Sequence, residues 1–90
     1  MVFTIRNFLN MLKWSKKENP SKYRIIYLSR GAPNDREELT ADAITGIYSR
    51  GFEYERRGKK VYIPYHRIIK IENIETGEIV YKSVKHLGKY

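Results

Sequence analysis

The chain contains no cysteine and no glutamine, and it has only two histidines, three prolines and one tryptophan. Without cysteine there is neither a disulfide framework nor a thiolate metal site. Two histidines, His66 and His86, are too few for an imidazole zinc centre, so no metal or cofactor is expected. Nor do they carry the His-x-Thr/Ser repeat of two-histidine phosphoesterases, because Arg67-Ile68 and Leu87-Gly88 follow them. Long apolar runs are missing as well. The longest, Ile25 to Leu28, is far too short to cross a bilayer, and Arg6, Asn7 and Asn10 interrupt any signal-peptide core near the start. A cytoplasmic protein with no membrane partner is the expectation. No G-x-x-x-x-G-K-[ST] phosphate loop occurs. The lack of thermolabile glutamine, beside abundant Ile, Lys and Glu, resembles the composition of thermophile proteins.

Positive charge, by contrast, is plentiful. Eighteen Lys and Arg face ten Asp and Glu, for a net charge of +8. The excess lies at the two ends: +4 over residues 1–22, −2 over 23–55 and +6 over 56–90. A domain of such basicity carries the electrostatic footprint of a nucleic-acid binder. A merely solubilising surface gives the same count.

Ninety residues make one small domain, 1–90. Ile5, Phe8, Leu9 and Leu12 recur at helical spacing, so a helix is expected over about residues 3–14, with Thr4 as a candidate N-cap and Trp14 as a lid on the core. Asn19-Pro20 ends the connection that follows. Tyr23 to Leu28 reads as a strand by its β-branched and aromatic content. Ser29 to Asp35 reads as a loop, and the acidic residues Asp35, Glu37, Glu38 and Asp42 as a solvated charge run. Ile44 to Tyr48 is a short strand, with Gly46 marking a bend or bulge. Phe52 to Glu55 and Lys59 to Ile63 form a hairpin around Arg56-Arg57-Gly58. Arg67 to Ile74 and Ile79 to Lys82 close the pattern. The predicted fold is α+β: an N-terminal helix packed on a curved, mostly antiparallel sheet or small open barrel of about five or six strands, spanning about residues 23–82. A weakly patterned basic tail occupies 83–90.

Three clusters are candidate binding sites. In Ile63-Pro64-Tyr65-His66-Arg67-Ile68, a neutral histidine serves as a general base and a protonated one binds phosphate, arginine offers a planar fork to phosphate oxygens, and Tyr65 stacks or donates. Neighbouring residues on a straight strand point to opposite faces, so His66 and Arg67 converge only if Pro64-Tyr65 bends the chain. The alternative is a structural histidine beside a surface charge. In Arg30-Gly31-Ala32-Pro33, a guanidinium and the Gly31 backbone N–H can face one anion, or the loop is an ordinary turn. The hairpin tip Arg56, Arg57, Lys59 and Lys60, flanked by Tyr54 and Tyr62, suits the backbone and bases of single-stranded RNA. Otherwise it is a solvated tip that discourages edge pairing.

Asn19-Pro20, Leu28-Ser29-Arg30-Gly31-Ala32-Pro33, Ile63-Pro64-Tyr65-His66-Arg67-Ile68 and Thr76-Gly77-Glu78 together resemble the small, largely archaeal RNA cyclic-group end recognition domain family, from the helix to about Lys82. The resemblance implies binding of RNA ends, single-stranded 3′ ends bearing a phosphate or cyclic phosphate, in proximity to RNA-processing proteins. It implies that Arg30, His66 and Arg67 contact the terminal phosphate, with Tyr65 nearby; the reading of the residues themselves adds the Gly31 backbone N–H as an assisting donor and Arg56, Arg57, Lys59 and Lys60 as contacts to the preceding phosphates. Ser29 stands where many relatives carry a second histidine. The reading leans towards a non-enzymatic binder. Two alternatives are an RNA-end phosphodiesterase or nuclease with His66 as its acid–base group, and a protein-interaction module of an RNA-processing assembly.

Overall fold

A computed structural model describes residues 4–83. One helix, α1 (Ile5–Trp14), precedes seven strands: β1 (Tyr23–Leu28), β2 (Arg36–Thr40), β3 (Ile44–Ile47), β4 (Gly51–Arg56), β5 (Lys59–Pro64), β6 (Ile68–Asn73) and β7 (Ile79–Lys82). They form two antiparallel sheets, of order β2-β1-β6-β7 and β3-β4-β5. The expected α+β content and antiparallel pairing are present. The single sheet or small barrel of five or six strands is corrected to seven strands in two sheets that do not close.

The helix begins where the sequence signals it. The Thr4 hydroxyl accepts the Asn7 backbone N–H at 3.3 Å, satisfying one of the unpaired donors of the first turn. Replacing Thr4 with alanine is expected to cost about 1 kcal/mol, read as a lower urea midpoint. Ile5, Leu9 and Leu12 are buried in the same cluster as strand residues, and the Phe8 ring meets the Tyr23 ring edge-on at 5.4 Å. Trp14 is not a core lid: it is 77% exposed, with the Lys13 ammonium 5.9 Å from its ring. It follows the last buried helix position, Leu12, by two residues and so turns away from the core face.

One hydrophobic cluster joins both sheets. Ile25 and Tyr27 of β1 and Ile68 and Ile71 of β6 meet Phe52 and Tyr54 of β4 and Ile63 of β5. Strand β1 alternates strictly between buried and half-buried positions, as a strand with one core face must. The hairpin β4–β5 turns on two residues, Arg57 (φ 53°) and Gly58 (φ 80°), between the paired Arg56 and Lys59. Positive φ at both positions is the turn geometry that matches strand twist.

The largest departure from expectation is β2. Residues 36–38 lie on a strand paired with β1, not in a solvated loop. Only Leu39 in this strand is buried, so the apolar periodicity that betrays a strand is absent. Its polar side chains instead find partners across the sheet. Arg24 of β1 reaches Glu38 of β2 at 3.6 Å and Glu72 of β6 at 3.2 Å.

Candidate functional site

The chain crosses from the three-stranded to the four-stranded sheet between β5 and β6. The crossing is a 3-10 turn over Tyr65–Arg67, entered from Pro64. Proline at the strand end supplies no ladder donor, and its fixed φ, here −63°, suits the exit. At three residues per turn, successive side chains rotate by about 120° rather than the 180° of a strand. The bend that His66 and Arg67 require is therefore built into the crossing. Tyr65 anchors it: its backbone N–H donates to the Arg50 carbonyl at 2.9 Å, and its hydroxyl donates to the Tyr48 carbonyl at 2.5 Å. Its ring stacks on buried Phe52 at a centroid distance of 6.5 Å.

Beside this turn lies a cleft of about 740 Å³. His66 and Arg67 form one wall, the end of β1 and its following loop (Leu28, Ser29, Arg30) a second, and Val61, Tyr62 and Ile63 of β5 a third. Tyr27, Glu37 and Arg56 line it as well. Arg30, His66 and Arg67, from two motifs far apart in sequence, thus share one concavity. All three are exposed.

The other residues singled out from sequence are placed differently. Tyr65 does not line the cleft; it positions the turn that does. The Gly31 N–H points at the Asp35 carboxylate, 3.4 Å away, and the loop closes on itself through the Ser29 N–H to the Asp35 carbonyl at 2.8 Å. Of the hairpin-tip cations, Arg56 lines the cleft, whereas Arg57, Lys59 and Lys60 do not. His86 lies outside the described residues.

Charge within the cleft is partitioned. The Arg56 guanidinium is hydrogen-bonded to the Glu37 carboxylate. The same carboxylate oxygen accepts the Tyr27 hydroxyl at 2.9 Å. Having one proton, already given to Glu37, Tyr27 must accept the hydrogen bond it shares with Tyr54. The chain Tyr54–Tyr27–Glu37–Arg56 consequently ties β4, β1 and β2 together beneath the cleft and neutralises one of its cations. Among the described residues no carboxylate pairs with Arg30 or Arg67. Glu37 and Tyr62 were not among the expected site residues. Tyr62 was legible only as a flank of the basic hairpin. Glu37 gave no signal, since its partners Tyr27 and Arg56 are 10 and 19 residues away.

A family model described as the MJ1316 RNA cyclic group end recognition domain matches residues 2–82. The chain belongs to this family. Its curated relatives include a UPF0248 protein of Methanococcus vannielii, 39% identical over 80 residues, which covers 89% of this chain and 92% of the relative. Another, from Pyrobaculum islandicum, is 33% identical over 76 residues, covering 84% of each. The UPF0248 protein MJ1316 of Methanocaldococcus jannaschii is 31% identical over 84 residues, covering 91% of this chain and 96% of the relative. No solved structure matches. Of the four motifs that carry the family resemblance, the two around Arg30 and around His66-Arg67 border the cleft, and Asn19-Pro20 and Thr76-Gly77-Glu78 do not.

Tyr27 and Tyr65 make the stability of this domain depend on alkaline pH. Burial, then the hydrogen bonds with Tyr54 and Glu37, push the Tyr27 hydroxyl far above its ordinary value of 10.0. Burial pushes Tyr65 up to about 12. The folded state then holds protons that the unfolded chain releases near pH 10, so the stabilisation is complete below that pH and declines as pH rises towards 12. Urea midpoints are expected to be flat up to about pH 9 and to fall above about pH 10. Tyr27→Phe should show a shallower fall than the parent; an equal slope would remove Tyr27 from the account.

Among the described residues, no helix is long and apolar enough to cross a membrane, and no group of three His, Asp or Glu could hold a metal ion.

Proposed function

We propose that this chain is an RNA-binding domain that recognises an RNA end carrying a phosphate or cyclic phosphate, with the cleft as the end-binding site. The observation that carries this reading is the convergence of Arg30, His66 and Arg67 on one cleft in which neither arginine meets a carboxylate among the described residues, while Arg56 is already neutralised by Glu37. Two open guanidinium forks and an imidazole suit an anion with oxygens exposed on several sides. The family description, which names recognition of RNA cyclic ends, supports the same ligand class.

In this reading Arg30 and Arg67 bind phosphate oxygens and His66 donates a hydrogen bond. Tyr65 is a positioning residue, and Gly31, whose N–H faces Asp35, is not a contact. Arg57, Lys59 and Lys60 attract the preceding backbone without reading the end. The reading is tested by the affinity of the domain for one RNA sequence finished with a cyclic phosphate, an open phosphate or a hydroxyl. If incubation instead opened the cyclic end, and His66→Ala abolished that turnover, the site would be a phosphodiesterase.

A further inference from the structure

Eight tyrosines are spread along the chain, and those of the core are well hidden: Tyr27 is 2% and Tyr54 4% exposed. Two others lie open on the three-stranded sheet, Tyr62 of β5 at 47% and Tyr48, just after β3, at 48%. Their ring centroids are 6.3 Å apart and the planes are tilted by 43°. The rings are neighbours, not a stacked pair, and each keeps a π face of its own.

Both rings rest directly on glycine. A Cβ added to Gly51 would come within 2.6 Å of the Tyr62 hydroxyl and 2.7 Å of its ring. One added to Gly46 would come within 2.6 Å of the Tyr48 hydroxyl and 2.9 Å of its ring. Any other residue at either position displaces the ring. The backbone beneath is fixed as well: the Tyr48 N–H donates to the Gly51 carbonyl at 2.8 Å, and the Tyr48 carbonyl accepts the Tyr65 hydroxyl. The ends of both rings are therefore seated against glycine while the rings stay about half exposed, with less freedom to lose on binding than an unsupported side chain has.

This surface is continuous with the cleft. Tyr62 borders it, and the Tyr48–Gly51 turn is bonded through Tyr65 to the turn that carries His66 and Arg67. Exposed Arg50 stands in the same turn. Glu53 lies opposite Tyr62, and Glu55 opposite Lys60, on the neighbouring strand. Those carboxylates repel a phosphate chain laid across the body of β4, so the open path crosses β4 only at its uncharged Gly51 end, from the cleft over Tyr62 towards Tyr48 and Arg50.

We infer that Tyr62 and Tyr48 form a stacking platform for the one or two nucleotides preceding the RNA end, so that the ligand is a short single-stranded RNA, not an isolated terminal group. This rests on the cleft holding the terminal phosphate. Bases offer π faces to aromatic side chains whatever their identity, and each stacked base contributes about five- to a hundredfold in affinity. The platform adds reach and length preference, while the cleft reads the end.

A glycine covered by a cross-strand aromatic ring is also a device that stabilises sheets, so the test must separate the two roles. Affinities are measured for a 2′,3′-cyclic mononucleotide and for cyclic-ended RNAs of two and four nucleotides. The proteins are the parent, Tyr48→Leu/Tyr62→Leu, which still covers the glycines, and Tyr48→Phe/Tyr62→Phe; thermal unfolding is recorded for each. The parent should gain at least fivefold from mononucleotide to tetranucleotide. The Phe variant should keep that gain and the Leu variant should lose it, read in each protein as the ratio of tetranucleotide to mononucleotide affinity. A Leu variant that keeps the gain, or a Phe variant that loses it, overturns the platform. If cyclic and hydroxyl ends bind equally but the Leu variant still loses the length gain, the platform stands and the end-reading role of the cleft falls.

Discussion

Phe52→Ala is expected to lower the unfolding free energy by about 3–5 kcal/mol, a large share of the 5–15 kcal/mol of a typical domain. Phe52 is fully buried near the start of the central strand of the smaller sheet, paired with Ile47 on one side and Ile63 on the other. Its ring lies 6.3 Å from that of Tyr54 and stacks on Tyr65. Removing it opens a cavity where the two sheets share their core, and the neighbours cannot collapse into it because Tyr54 and Tyr65 are both held by hydrogen bonds. The effect also reaches the cleft. Tyr65 loses the surface that seats it, and with it the turn bearing His66 and Arg67 loosens. Urea denaturation measures the first consequence. The second appears as weakened RNA binding even under conditions where the variant remains folded. Phe52→Leu, which keeps most of the volume, should show a much smaller loss of both.

Arg67→Ala is expected to weaken binding of a cyclic- or phosphate-ended RNA by about ten- to a hundredfold, the size of a charge-assisted hydrogen bond to phosphate. Binding of the same RNA with a hydroxyl end should change little. Arg67→Lys keeps the charge and loses the fork, so it should fall between the two. Arg57→Ala provides the contrast, since Arg57 lies outside the cleft at the hairpin tip. It should weaken all three RNAs alike and lower the salt dependence by about one unit of slope. Equal losses across the three ends for Arg67→Ala would make Arg67 another backbone contact. Glu37 supplies an independent handle. Its carboxylate occupies Arg56, and among the described residues Arg56 is paired where Arg30 and Arg67 are not.

Much of this was legible in the sequence where local chemistry alone decides the outcome. The helical stripe of Ile5, Phe8, Leu9 and Leu12, the Thr4 cap, strand Tyr23–Leu28 and the hairpin around Arg57-Gly58 all appear where residue type and spacing place them. The condition that Pro64-Tyr65 must bend the chain was legible too, since proline cannot continue a ladder. Strand β2 was hidden because its stability comes from pairing with β1 and from salt bridges across the sheet, and neither leaves a period in Arg36-Glu37-Glu38. Trp14 misled because bulk and hydrophobicity say nothing about which face of the last helical turn a residue occupies. The division into two sheets could not be read either: β5 leads into β6 by a three-residue turn that changes sheets where a hairpin would have stayed in one. For the site, sequence motifs gave Arg30, His66 and Arg67. The network of Tyr54, Tyr27, Glu37 and Arg56 that sets the charge of the cleft needed three strands to be brought together first.

The most direct test of the central claim is a competition assay with a single RNA sequence bearing a 2′,3′-cyclic phosphate, an open 3′ phosphate or a 3′ hydroxyl, performed at one fixed salt concentration. The account predicts that both phosphorylated ends displace a labelled probe at least tenfold more effectively than the hydroxyl end, and that Arg30→Ala and Arg67→Ala each erase most of that difference. Equal displacement by all three ends would contradict it, and would reduce the cleft to one part of a generally basic surface.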